Sequence, residues 1–151
     1  MMKSYFSILV VLAMVGVTAC SHVDEITPPS EVPEISLISV SPSTVKAYED
    51  EIVFMIEYTD GDGDLGSNDD TDRNVFVEDN RIGVVHSFRL QQLAPDGAVI
   101  PITGVFDIIL PNTILTGGSG DEKVVFTIHV VDRAGHESNV IETPEITVKQ
   151  N

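Results

Sequence analysis

The sequence predicts an all-β fold, an antiparallel β-sandwich of about seven to eight short strands. Short β-branched and apolar runs, punctuated by Gly, Pro, Asp and Asn, fill the chain from residue 35 onward. No long stretch repeats apolar residues at helical spacing. Turn signals are frequent. Ala94-Pro95-Asp96-Gly97 reads as a hairpin turn between two runs, and Thr116-Gly117-Gly118-Ser119-Gly120 as a flexible connection.

In chain order the candidate strands are ISLISV at 35–40, EIVFMIEY at 51–58, NVFVE at 74–78 and VVHSFRLQQL at 84–93. AVIPIT at 98–103, FDIIL at 106–110, KVVFTIHVV at 123–131 and NVIETPEITVK at 139–149 follow. Each is rich in the branched and aromatic side chains that pack on a pleated surface, and each is bounded by turn residues. Pro101 and Pro144 offer no ladder donor, so their strands lie at edges or start late. Strand alternation is expected to turn Phe76 and Phe88 into the core.

The first twenty residues, MMKSYFSILVVLAMVGVTAC, carry one basic residue, Lys3, then an apolar run from Ile8 to Val17 and small residues leading to Cys20. That run is too short to span a bilayer comfortably and has the layout of a secretory signal. Val17-Thr18-Ala19-Cys20 resembles the bacterial lipobox, which implies a signal peptide at 1–19 and lipidation of Cys20 as the first residue of the mature chain. The segment SHVDEITPPSEVPE at 21–34 combines prolines and acids without an apolar period, so 20–34 reads as an extended tether between anchor and domain. Ser21 after the cysteine, by the same resemblance, implies the outer membrane. Asp24-Glu25 resembles the acidic surface-export signals of Bacteroidota lipoproteins.

A chain of 151 residues without that leader suits one domain, here 35–151. Its 24 acidic against 8 basic residues give a net charge of −16, which argues against nucleic acid or an anionic lipid surface as a partner. The single cysteine rules out an intramolecular disulfide, so packing or an ion must hold the core.

FTIHVVDRAGHESN, 126–139, resembles the last hairpin of bacterial immunoglobulin-like domains, where a strand ends in Asp-x-Ala-Gly-Asn-x-Ser. Asp132, Ala134, Gly135 and Ser138 match that pattern, and His136 stands where Asn is usual. SPSTVKAYEDEIVFMIEYTDGDGDLG, 41–66, resembles the opening of the same class, in particular short Bacteroidota lipoproteins with a Tyr-x-Asp-Gly-Asp-Gly-Asp-x-Gly signature. The resemblance implies an immunoglobulin-like sandwich and says little of activity, because such sandwiches host many.

The run DGDGDLGSNDDTD, 60–72, places six aspartates in thirteen residues. Two carboxylates about 4 Å apart repel by roughly 4 kcal/mol at an effective dielectric of about 20. Either they splay into water and cap backbone amides, or a cation gathers them. Calcium takes six to eight hard oxygen ligands in flexible geometry, and Asp60, Asp62 and Asp64 offer alternate carboxylates on a glycine-freed backbone. Magnesium, which keeps more of its water, suits the run less well. It is no EF-hand, since its sixth position is Leu65 and its twelfth Thr71. In an immunoglobulin-like sandwich the loop after the second strand and the turn before the last share one end. Asp132 is therefore a candidate ligand from outside the loop, and Asp70 is another from within it.

His86, His129 and His136 form no tight ligand cluster in sequence and read as strand and turn histidines. Ser138, His136 and Asp132 are the residue types of a catalytic triad, but a seven-residue turn can hardly aim all three at one another. The expectation is therefore a noncatalytic cell-envelope lipoprotein, held at the membrane through Cys20, whose calcium-stabilised domain meets a protein or glycan partner. The alternative is a carbohydrate-binding accessory module of an outer-membrane glycan-uptake system, which the absence of tryptophan disfavours.

Overall fold

Alternation decides the central strand of the computed structural model, which describes residues 29–117 and 120–150. In β3 (Ile52–Asp60) the even-numbered side chains Ile52, Phe54, Ile56, Tyr58 and Asp60 all point inward and are buried. The period of two therefore carries a carboxylate onto the core face at the strand's last position.

Ten strands among the described residues form three sheets, an all-β, sandwich-like fold. β1 (Glu34–Ser41) and β6 (Ile102–Leu110) flank β3 in one sheet. A second sheet has the order β5 (Val84–Phe88), β4 (Val75–Asp79), β8 (Phe126–Val130), β9 (Ile141–Glu142). The third and smallest joins β2 (Thr44–Lys46), β10 (Ile146–Lys149) and β7 (Glu122–Val124). All pairings are antiparallel except β2 with β10. Phe54 of the first sheet meets Phe126 of the second edge to face, centroids 5.5 Å apart, in a core that also buries Ile56, Val77, Ile128 and Val148. Asn139 clasps β1 to the second sheet: Ile35 N donates to its Oδ1 and its Nδ2 donates back to Ile35 O, both at 2.8 Å.

Several expectations change. The runs at 123–131 and 139–149 are each broken in two, by Val125 and by the stretch holding Pro144, and 44–46 adds a short strand. The segment 98–103 forms no strand of its own; β6 begins directly after Pro101 and lies at a sheet edge, as a missing donor demands. The turn at 94–97 exists, with Ala98 N donating to Pro95 O, yet it joins no hairpin, because β5 pairs β4 and β6 pairs β3. Its flanks are drawn onto the acidic loop instead: Ser67 N donates to Leu90 O and Ile100 N to Asp62 O. Phe76 also differs from expectation. The register sets Val75 opposite Phe88 and Phe76 opposite Ser87, so Phe88 packs against the core while Phe76 stacks outside on His129 at 4.9 Å. The last part of the stretch read as a tether packs on the domain, since Pro33 is buried and Ser30 O accepts from Gly61 N at 2.8 Å. Cys20, the signal segment and tether residues 20–28 lie outside the described residues.

The pole opposite the acidic loop is closed by an ion network that no sequence pattern announced. Arg81 Nε and Nη2 donate to the buried Asp79 carboxylate, and Nη1 donates to Glu122 at 2.8 Å. Glu122 also accepts from Thr116 N at 2.9 Å and from Gly117 N. Those backbone amides, aided by Arg81, hold its carboxyl down at about 2 instead of the usual 4.5. The folded chain thus binds this proton less tightly than the unfolded one. The stabilisation is complete above pH 4.5 and is lost as pH falls toward 2. Carboxyl resonances followed by NMR should show Glu122 titrating near pH 2, well below the exposed glutamates.

Candidate metal centre

The loop after β3 curls inward rather than splaying into water. Leu65, in the middle of the acidic run, is fully buried and plugs the loop into the core. Its N–H donates to Asp60 Oδ2 at 2.8 Å, which folds the loop back over the end of β3. Gly63 and Gly66 have φ of 78° and 83°, values open to glycine, and a Cβ on either would strike the carbonyl oxygen of Ile100 or Gln91 at 2.4 or 2.3 Å. The glycines thus let segment 90–100 press directly on the loop backbone. Asp62 and Asp64 remain partly exposed at the mouth.

This curl brings one oxygen each of Asp60, Asp62 and Asp64 within 4.8 Å of one another. The Oδ1 atom of each of these residues is buried and accepts no hydrogen bond. Buried carboxylate oxygens without a donor are rare and expensive, and three converging ones compound the cost by repulsion. Burial first, then the charges of Asp62 and Asp64, push the Asp60 carboxyl up to about 6. Asp64 is raised as well, by burial and then by Asp132 and Asp62. Tyr58, two places back on the same face of β3, is raised by burial and by Asp60. The group is a proton trap or a cation trap. For an ion with ligands at about 2.4 Å, no two of them can lie more than about 4.8 Å apart, a condition that the three oxygens meet.

The turn before the last strands meets the loop at this pole, as the sequence predicted. Ala134 N donates to Asp64 Oδ2 at 2.9 Å, Arg133 N to Asp64 O at 3.3 Å and Arg133 Nη1 to Gly66 O at 2.8 Å. Asp132 itself is buried beside the triad, with both oxygens engaged by His136: Oδ1 accepts from its backbone N at 2.7 Å and Oδ2 pairs with Nδ1 at 2.8 Å. That contact raises the His136 pKa. Ser138 Oγ instead accepts from Val130 N and donates to Asn139 O, so it does not reach His136. Asp70 stands apart, its side chain 91% exposed and paired with Arg89 at 3.3 Å.

The structure therefore gathers Asp60, Asp62 and Asp64, sets Asp132 beside them and leaves Asp70 outside. Leu65, Ala134 and segment 90–100 were not foreseen as parts of the centre. Leu65 carried a readable signal, a bulky apolar residue amid charges; the others depend on long-range docking. Beside the centre opens a polar cleft of about 390 Å³ lined by Ser67, Asp72, Arg73, Asn74, Val131, Asp132 and Arg133. No protein-family model, curated protein or solved structure shows significant similarity to this chain.

Proposed function

We propose that Asp60, Asp62 and Asp64 hold a calcium ion that locks one pole of an immunoglobulin-like module, in a noncatalytic cell-envelope lipoprotein anchored through Cys20. The observation that carries the reading is a set of three carboxylates with one oxygen each within 4.8 Å of the others, every one of which also has a buried Oδ1 that accepts no hydrogen bond. Calcium suits an all-oxygen set built on a glycine-rich loop, where no donor among the described residues reaches those Oδ1 atoms. The ion would tie together the end of β3, the loop and, through Asp64, the turn at 132–136. Its role is structural. The lipobox-like Val17-Thr18-Ala19-Cys20 supports the anchor, and Ser21 after the cysteine supports the outer-membrane location.

Terbium, a luminescent stand-in for calcium, tests the centre. The chain has no tryptophan, so light absorbed by tyrosine should reach a bound ion chiefly from Tyr58, close by on β3. Sensitised emission that calcium displaces and that Asp62→Ala abolishes is expected; emission no greater than from free terbium counts against the site. Incorporation of labelled palmitate, lost on Cys20→Ser, tests the anchor.

The polar cleft lined by Arg73, Asn74 and Arg133 keeps a second reading in view, a carbohydrate-binding module with its sugar beside the ion. A glycan array probed with and without calcium separates the two: calcium-dependent binding selects the module, and a blank array selects the structural role.

A further inference from the structure

Gly61 sits between two of the acidic residues that converge, Asp60 and Asp62, and is also where the tether touches the domain. Its N–H donates to Ser30 O at 2.8 Å. A Cβ placed on Gly61 would lie 2.4 Å from Ser30 O and 2.5 Å from Pro29 O, so the incoming chain lies directly on the loop backbone. Beyond Ser30 the chain turns, with Val32 N donating to Ser30 Oγ, and then buries Pro33 before β1 begins. A single peptide unit thus faces the carboxylates through its neighbours on either side and the tether through its own N–H. Its position cannot change for one without changing for the other.

We infer that cation occupancy governs whether the tether is docked on the domain. This rests on the calcium reading above and extends it to regulation. With the ion bound, residues 60–64 are held in the curl that presents the Gly61 N–H, and Pro29–Ser30 pack against it. Without the ion, repulsion among Asp60, Asp62 and Asp64 opens the loop and withdraws that donor and the flat surface of Gly61. Residues 29–32 then come free of the loop, and the chain is held only from about Pro33, where burial resumes. Four more residues of slack, at roughly 3.3 Å each, let the domain reach about 13 Å further and reorient more freely. The carboxylates act as a calcium-sensitive latch on the domain's own leash.

Glu31 lies exposed between Ser30 and Val32, which makes a glutamate-specific protease a direct probe. In the full chain, cutting after Glu31 is expected to be about tenfold faster in chelator than in saturating calcium, at a temperature where circular dichroism shows the body folded. Gly61→Ala adds a methyl group against Ser30 and Pro29 while keeping every carboxylate; Gly61 needs no left-handed backbone. That variant should still bind calcium by calorimetry yet be cut at the fast rate in both conditions. Hydrogen exchange at the Gly61 amide of the unaltered chain reads the same latch without a substitution. It should quicken about tenfold in chelator while the Phe54 amide does not change. Equal cutting and equal exchange with and without calcium, in a chain that calorimetry shows to bind it, overturn the latch and leave the metal centre standing. Absence of any calcium heat overturns both.

Discussion

Arg81→Ala is expected to cost about 3–5 kcal/mol of stability, as much as truncating a buried side chain of the hydrophobic core. The Arg81 side chain is 13% exposed and the Asp79 side chain beneath it 2%, so neither partner can fall back on water. Two parallel donations from Nε and Nη2, at 3.0 and 2.6 Å, match the carboxylate in the bidentate geometry that only arginine supplies. Nη1 reaches Glu122, while Nη2 also donates to Thr113 Oγ1 and Ile114 O, which ties the segment after β6 to the β4–β5 turn. Alanine strands Asp79 as a buried charge and unfastens that segment together. Adding Asp79→Asn to the alanine variant should recover part of the loss, since it removes the stranded charge. Urea midpoints with unchanged slopes measure both. A loss below about 1 kcal/mol would place the network with ordinary surface pairs.

Calcium is expected to raise the melting temperature by roughly 10–15 °C when present at about a thousand times its dissociation constant, equivalent to about 4 kcal/mol. Asp62→Ala should abolish that response. In chelator the variant should melt no lower than the parent chain, because it removes one of three mutually repelling carboxylates. Acid separates the two states by sign. Without calcium, Asp60 has a folded pKa of about 6 against its usual 3.8, so the folded chain binds the proton more tightly. Stability then rises as pH falls from about 6 toward 4. With calcium bound, protons compete with the cation for the same oxygens, and stability falls over that interval. His136, raised above its usual 6.5, has taken up its proton before that interval begins and adds little slope within it. Parallel slopes in the two conditions would mean that the carboxylates carry no ion.

The strands were legible because alternation of Ile52, Phe54, Ile56 and Tyr58 marks a buried face whatever the partner. The same alternation, carried one step further, places Asp60 inside, and the spacing of Asp62 and Asp64 then predicts the cluster. The meeting of this loop with the turn at 132–136 was legible too, because both runs resemble parts of an immunoglobulin-like sandwich that lie at one end of it. The hairpin at 94–97 misled because turn residues report local bending, whereas pairing is decided by what the flanks bury; Leu90 and Ile100 found partners on the acidic loop. Phe76 misled because burial depends on register, and an aromatic on the outer face that stacks on His129 has the same local signal as one in the core. The network of Arg81, Asp79 and Glu122 left no trace in sequence, since Glu122 joins the other two from 41 residues beyond Arg81 and such a pairing has no period to read.

Calcium titration calorimetry on the full chain tests the central claim most directly. One saturable binding event per chain, present in the native sequence and absent in Asp62→Ala, is the result expected from three buried oxygens that lack any other partner. A flat trace from the native chain, at protein concentrations that would reveal micromolar affinity, contradicts it.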